Sequence, residues 1–353
     1  MNHLHAIASK LEEYGLDAML VTSAPGEFYA VGFHGEGVVL AARGESRYLT
    51  DSRYIEAARD QVTGAAITMT TREKGRKALL RQAVEELGIR RLGIEESYLT
   101  LEEYRSYEAL PCELVPAQAL LRTLRAVKDA GEQEAMRRAQ RITDEAFAAI
   151  CAFLRPGQTE NEIAARLQYE MLCRGAERMS FDPIVASGPN GSKPHAVPGP
   201  RKVEKGEFLT MDFGCVYQGY CSDMTRTVAL GEPTEEMRKV YGVVLEAQKA
   251  GIAAARAGVP GCDVHQAAAR VIEAAGYGPC FGHSFGHGVG IEIHESPNAA
   301  PGNRNPLPAG AVISAEPGIY LPGRFGVRIE DVLILTERGR EDITASPREL
   351  LVL

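Results

Sequence analysis

Between Phe208 and Ala229 the chain reads F-L-T-M-D-F-G-C-V-Y-Q-G-Y-C-S-D-M-T-R-T-V-A, an apolar strand-turn-strand pattern with an aspartate in each arm. A turn at Val216–Gly219 predicts a hairpin, and symmetric pairing about it sets Cys215 against Tyr220 and Asp212 against Asp223. Directly opposed residues hold their Cβ atoms roughly 5 Å apart, where like charges destabilise the ladder. Ala311–Leu335 repeats the pattern. It folds about Pro322-Gly323, and symmetric pairing there sets Glu316 against Glu330, with Arg328 on the face of Glu330 and Asp331 on the other. Either segment alone could be an edge hairpin with surface carboxylates. The flanks argue for burial instead: Leu209, Met211 and Phe213 in one, Val312, Ile313, Val332 and Ile334 in the other. Buried unpaired carboxylates are costly. Each pair needs a shared proton or a cation; two such pairs together point to metal, and two ions ~3.5–4 Å apart suit the spacing. Two carboxylate hairpins, one in each half of this region, also hint at an internal duplication.

The histidines add to this centre. F-G-H-S-F-G-H-G-V-G-I-E-I-H-E-S-P carries His283, His287 and His294 among glycines that allow close backbone approach to a ligand. His195 ends a loop, S-G-P-N-G-S-K-P-H, suited to presenting a side chain at a cleft. Four carboxylates and one imidazole form an oxygen-rich donor set that suits Mn(II), Co(II), Fe(II) or Zn(II). Such ions acidify water towards neutral pH, and amide hydrolysis is the natural reaction.

The rest of the chain frames that site. Short strands and helices alternate through the first 120 or so residues, an α/β pattern. Arg122–Lys128 marks a boundary, giving domains 1–122 and 123–353. A helix over Glu132–Leu154 stops at Arg155-Pro156-Gly157, and Thr159 with Glu162 has capping-box spacing for the next helix. A net charge of −8 without a basic stripe speaks against nucleic acid. No stretch reaches the ~18 apolar residues of a membrane span, and the start lacks a signal-peptide pattern. The cysteine count is odd, and no Cys-x-x-Cys occurs. That argues against a disulfide framework and, with the rest, for a cytoplasmic protein.

At M-D-F-G, S-D-M-T-R-T, G-H-G-V-G, S-A-E-P-G-I-Y and V-R-I-E-D the sequence resembles the pita-bread metallopeptidase family, in its proline-specific branch of aminopeptidase P and prolidase. The resemblance implies a creatinase-like N-terminal α/β domain and a catalytic domain with a curved antiparallel sheet. It implies metal ligation by Asp212, Asp223, His287, Glu316 and Glu330, with Asp223 and Glu330 bridging two divalent ions, manganese first among them. Glu316 would also serve as general base. His195 and His294 would contact substrate and steady the oxyanion, and His283 and Arg328 would line the proline site. The implied activity is hydrolysis between an N-terminal residue and a following proline by a metal-bridging hydroxide, in a homodimer. Some prolidases place an arginine four residues after the His294 position to bind a dipeptide's carboxylate; here Asn298 stands there, which leans towards aminopeptidase P over Xaa-Pro dipeptidase. A binding module without catalysis would have lost ligands that this chain keeps.

Overall fold

The structure, a computed structural model, describes residues 2–353. Two compact units divide at Arg125/Ala126. The first holds a six-stranded mixed sheet built from β1 (Ala18–Val21), β2 (Val38–Ala42), β3 (Ser46–Thr50), β4 (Ala65–Met69), β5 (Arg91–Ile94) and β6 (Glu113–Pro116). The order is β4-β3-β2-β1-β5-β6, with β1–β2 and β2–β3 antiparallel and the remaining pairs parallel. Its helices are α1 (Leu4–Lys10), α2 (Ala24–Val31), α3 (Ile55–Gln61), α4 (Arg76–Glu86), α5 (Leu101–Tyr107) and α6 (Gln118–Ala126). One face of the sheet is covered by Leu79, Leu80, Ala83 and Val84 of α4, packed with Leu20, Leu40, Leu49 and Leu92.

The second unit repeats one plan twice. The first copy is α7 (Ala130–Phe153), α8 (Glu160–Cys173), a short strand β7 (Arg178–Met179), β8 (Ile184–Ser187) and the hairpin arms β9 (Glu207–Phe213), β10 (Cys215–Tyr217), β11 (Tyr220–Cys221) and β12 (Met224–Leu230). The second is α9 (Glu235–Ala254), α10 (Gly261–Ala274), β13 (Gly286–Gly288), β14 (Glu295–Ala299) and the arms β15 (Val312–Ala315), β16 (Gly318–Leu321), β17 (Phe325–Arg328) and β18 (Asp331–Thr336), followed by β19 (Gly339–Asp342). In both copies an antiparallel strand flanks the outer hairpin, β8 on β9 and β13 on β15. Each copy has its own core. Ala139, Ile142, Ala146 and Ile150 recur at helical spacing on α7 and pack with Leu167 of α8 on Leu209, Met211 and Val228. Val240, Val244, Val264 and Ile272 of α9 and α10 pack on Ile313, Ile319, Val327 and Leu333. Full burial of such a side chain stabilises by ~1.5–3 kcal/mol. The capping box at Thr159/Glu162 is formed, and Thr159 Oγ1 accepts from the Glu162 N–H.

The registers differ between the two hairpins. In the second, Val312 pairs Ile334, Ala315 pairs Asp331 and Gly318 pairs Arg328, so Glu316 and Glu330 do stand opposite, in the gap between two ladders. In the first, Asp212 pairs Thr225 and Tyr217 pairs Tyr220, so Asp212 is not opposite Asp223. The turn is Gln218-Gly219 alone, with φ of 47° and 77°, a two-residue hairpin turn that shifts the partner by two positions. An even shift keeps each side chain on its face, so Asp212 and Asp223 remain diagonal neighbours on one side.

Candidate metal centre

The four carboxylates lie where the outer ladder of each hairpin gives way to the inner one: Asp212 at the end of β9, Asp223 just before β12, Glu316 just after β15, Glu330 just before β18. The two hairpins meet side by side at this level. The Glu330 N–H donates to the Thr225 carbonyl at 3.0 Å. Thr225 Oγ1 donates to Glu330 Oε2 at 2.6 Å and accepts from Arg328 Nε at 3.1 Å. On the opposite face a fully buried Arg226 pairs with Asp331 at 2.7 Å, joining the hairpins from behind.

His287 comes from β13, the strand beside β15. Its N–H donates to Ser314 Oγ at 3.0 Å, and Ser314 Oγ in turn donates to Glu316 Oε1 at 3.1 Å. The glycines around His287 serve packing rather than ligand approach: a Cβ on Gly286 would lie 2.0 Å from the Ser314 carbonyl oxygen, and one on Gly288 2.4 Å from that of Glu295. The ring's Nδ1 lies 3.1 Å from the Gly288 carbonyl, which fixes the proton there and turns Nε2 inward. Nε2 sits 3.4 Å from Asp223 Oδ2 and 3.3 Å from Glu316 Oε1. A bare nitrogen lone pair facing two carboxylates is repulsive, so Nε2 needs a proton or a cation. Burial disfavours the imidazolium, but Asp223 and Glu316 outweigh it and lift the ring to about 9.

Charge crowding is severe. Burial pushes the Glu316 carboxyl up to about 7, and burial followed by the neighbouring carboxylates pushes Glu330 up as well. Asp223 is raised chiefly by burial. Asp212 Oδ1 and Glu330 Oε1 are buried without a hydrogen-bond partner. Asp223, His287 and Glu330 bring one ligand atom each within 4.8 Å of one another. Orphaned buried carboxylate oxygens, Asp223, Glu316 and Glu330 carboxyls all pushed upward by burial and an inward imidazole are what a divalent cation would satisfy.

The site opens into a cavity of about 470 Å³ lined by all of Asp212, Asp223, His287, Glu316, Glu330, His195, His294, His283 and Arg328. His195 and His294 are exposed at its rim, and the His294 ring stands edge-on to His287 at 4.3 Å between centroids. Phe181, Ile184 and Ile293 supply apolar wall. Arg328 is buried and committed to protein partners: Nη2 donates to Asp212 Oδ2 at 2.7 Å and Nη1 to the Tyr320 hydroxyl at 2.7 Å. The Tyr320 hydroxyl lies 2.9 Å from His283 Nε2, while His283 Nδ1 faces the Ser284 carbonyl at 2.8 Å. The result is a relay from Arg328 through Tyr320 to a neutral His283, whose pKa burial and then Arg328 depress to about 4. Thr225, Ser314 and Tyr320 escape a reading of the sequence as ligands. Only their places, two residues from Asp223 and Glu316 and four after Glu316, put them on the same faces.

Among known proteins, the model of "Metallopeptidase family M24" matches residues 134–337, and that of the "Creatinase/Prolidase N-terminal domain" matches residues 4–127. The solved structure of an Xaa-Pro dipeptidase from Bacillus anthracis is 41% identical over 99% of each chain, with a TM-score of 0.95. That of an X-Pro aminopeptidase from Thermotoga maritima MSB8 is 36% identical over 100% of each, with a TM-score of 0.93. The Xaa-Pro dipeptidase of Pyrococcus horikoshii is 34% identical over 97% of this chain and 96% of its own. With its paired carboxylates, inward histidine and this full-length likeness, the chain belongs to metallopeptidase family M24 and carries the family's creatinase/prolidase-type N-terminal domain.

Proposed function

We propose that this protein is an Xaa-Pro dipeptidase, hydrolysing the bond between an N-terminal residue and the proline that follows it. The observation that carries the reading is the convergence of four carboxylates and His287 on one cavity, in a chain whose full-length relatives include Xaa-Pro dipeptidases. This sets aside the lean towards aminopeptidase P drawn from Asn298. Asp212, Asp223, His287, Glu316 and Glu330 would hold two divalent ions. Bound there, the ions would polarise the scissile carbonyl and acidify water; manganese suits the donor set, as do cobalt, iron and zinc.

The chain's own residues supply the rest. Glu316, set in the cavity among the other carboxylates, would take a proton from water and return it to the departing proline nitrogen. His195 and His294 donate hydrogen bonds to the carbonyl oxygen as charge develops on it. Burial, followed by His287, lowers the pKa of His294, which favours a neutral ring as donor. Arg328 holds Asp212 in place and, through Tyr320, fixes the tautomer of His283. The apolar wall of Phe181, Ile184 and Ile293 keeps water from the substrate's side chains.

One observation favours the second reading, an Xaa-Pro aminopeptidase acting on longer peptides. Asn298 is exposed and its carbonyl is taken by Asn303 Nδ2 at 2.7 Å, so no cationic side chain at that position meets a dipeptide's carboxylate. Rates on Ala-Pro and Ala-Pro-Ala with Mn(II) separate the two. A dipeptidase has the higher kcat/KM on Ala-Pro; a higher value on the tripeptide assigns the aminopeptidase.

A further inference from the structure

The loop Gly188–Gly199, which carries His195, has little core of its own. Ala196 is buried, but His195 is exposed and Val197 is 82% exposed. What fixes it is a carboxylate from another element. Glu160, the first residue of α8, has 0% exposure. Its Oε1 accepts from the Ser187 N–H at 2.8 Å, the Ser187 hydroxyl at 2.8 Å and Asn190 Nδ2 at 3.1 Å. Its Oε2 accepts from the Gly199 N–H at 3.1 Å. One carboxylate therefore ties the loop's entry to its exit. Main-chain bonds reinforce the clamp, from the Glu160 N–H to the Arg201 carbonyl at 3.0 Å and from the Asn161 N–H to that of Gly199 at 3.1 Å.

Asn190 carries the constraint towards the tip. Its Oδ1 accepts from Lys193 Nζ at 3.0 Å, and the Ala196 N–H donates to the Lys193 carbonyl at 3.2 Å. On its far side the loop rests on the second hairpin: Arg328 Nη1 donates to the Pro194 carbonyl at 3.3 Å and the Gly323 N–H to Ser192 Oγ at 3.2 Å. The charge is partly balanced through Ser187, whose hydroxyl accepts from Arg201 Nη1 at 2.6 Å. Without the carboxylate, the Ser187 and Gly199 amides would be left unsatisfied, which costs more than a lost bond.

We infer that Glu160, acting through Asn190, is a positioning residue for His195; this rests on His195 contacting substrate as proposed above. The capping box at Thr159 and Glu162 gives α8 its start, and the same turn sets Glu160 inward at the loop's two ends. Glu160 touches neither the metal ligands nor the cavity.

The test uses the full chain loaded with Mn(II) and an Ala-Pro substrate, with Glu160→Gln and Asn190→Ala each alone and combined with His195→Ala. Gln keeps the shape but turns an amide against donors; Asn190→Ala removes only the link to the tip and remains informative if the buried change unfolds the chain. A misplacement of ~1 Å costs on the order of 10²-fold, so each single variant should lose roughly 10- to 100-fold in kcat/KM. Added to His195→Ala, neither should cost anything more, because residues acting as a unit are not additive. Hydrogen exchange of the peptide covering 188–198 should quicken in both single variants, with or without metal. Wild-type kcat/KM in both variants, or losses that multiply with that of His195→Ala, would overturn the inference. A wild-type chain that cleaves no Xaa-Pro bond would instead overturn the functional reading on which it rests.

Discussion

Glu316 sits between two roles, and its protonation decides both. Its ordinary value of 4.5 is raised to about 7 in the fold, first by burial. Between those values the folded chain keeps a proton that the unfolded chain releases, so in metal-free protein Glu316 lowers stability as pH rises through that window. Glu316→Gln cannot release the proton. Metal-free Glu316→Gln should therefore gain melting temperature over metal-free wild type as pH goes from 4.5 to 7, and a gap that does not change with pH would count against the burial argument. With metal present the order reverses in activity. The variant should lose ~10²-fold or more in kcat, because the proton acceptor and a ligand charge go together. At this scale the sequence was informative. The nine residues proposed as ligands, catalytic groups and substrate contacts all line a single cavity, while Asn298 lies outside its lining. The residues that hold them were not legible, because a hydroxyl's role depends on what lies across a sheet: Thr225 matters through a carboxylate more than a hundred positions away, Glu330.

At the scale of elements, the hairpins show what symmetry arguments can and cannot reach. Pairing about Pro322-Gly323 put Glu316 opposite Glu330, as observed, because that turn is centred where the sequence suggests. The first hairpin turns on Gln218-Gly219, both with positive φ, and a turn placed over four residues misses the partner of Asp212 by two. The face survived because the error was even. Not every helix is legible from spacing: α2, A-P-G-E-F-Y-A-V, has proline and glycine in its first turn and is buried from Gly26 to Val31, so it has no polar stripe to read. The hairpins' union depends on Arg226, whose guanidinium donates to Asp331 and to the Glu330 and Ser346 carbonyls. Arg226→Met should destabilise by ~1–3 kcal/mol in denaturant unfolding, since it removes the fully buried partner of Asp331 while Arg348 and Gln248 stay on that carboxylate. A double-mutant cycle with Asp331→Asn should show losses that do not add; strictly additive losses would contradict the pairing argument.

For the whole molecule, one plan used twice explains why the ligands come in pairs. Each copy contributes a helix pair, a flanking strand and a hairpin broken where its carboxylates sit, and the two hairpins bring those breaks together. Such a centre is unsatisfied without cations: Asp212 Oδ1 and Glu330 Oε1 lack partners, and His287 Nε2 faces two acids. Stripping divalent ions should lower the melting temperature, and Mn(II) at ~100-fold its Kd should return ~2.7 kcal/mol per site. The alternation of helix and strand made the two-unit α/β build readable; the duplication was only a hint, since it lives in ladder geometry and not in matching residues. The most direct measurement is a titration of metal-stripped protein with Mn(II), following Ala-Pro hydrolysis and bound metal together. Activity should rise with loading and level off at two ions per chain. Hydrolysis that is already full in the stripped protein, or absent at every loading, would contradict a two-metal Xaa-Pro dipeptidase.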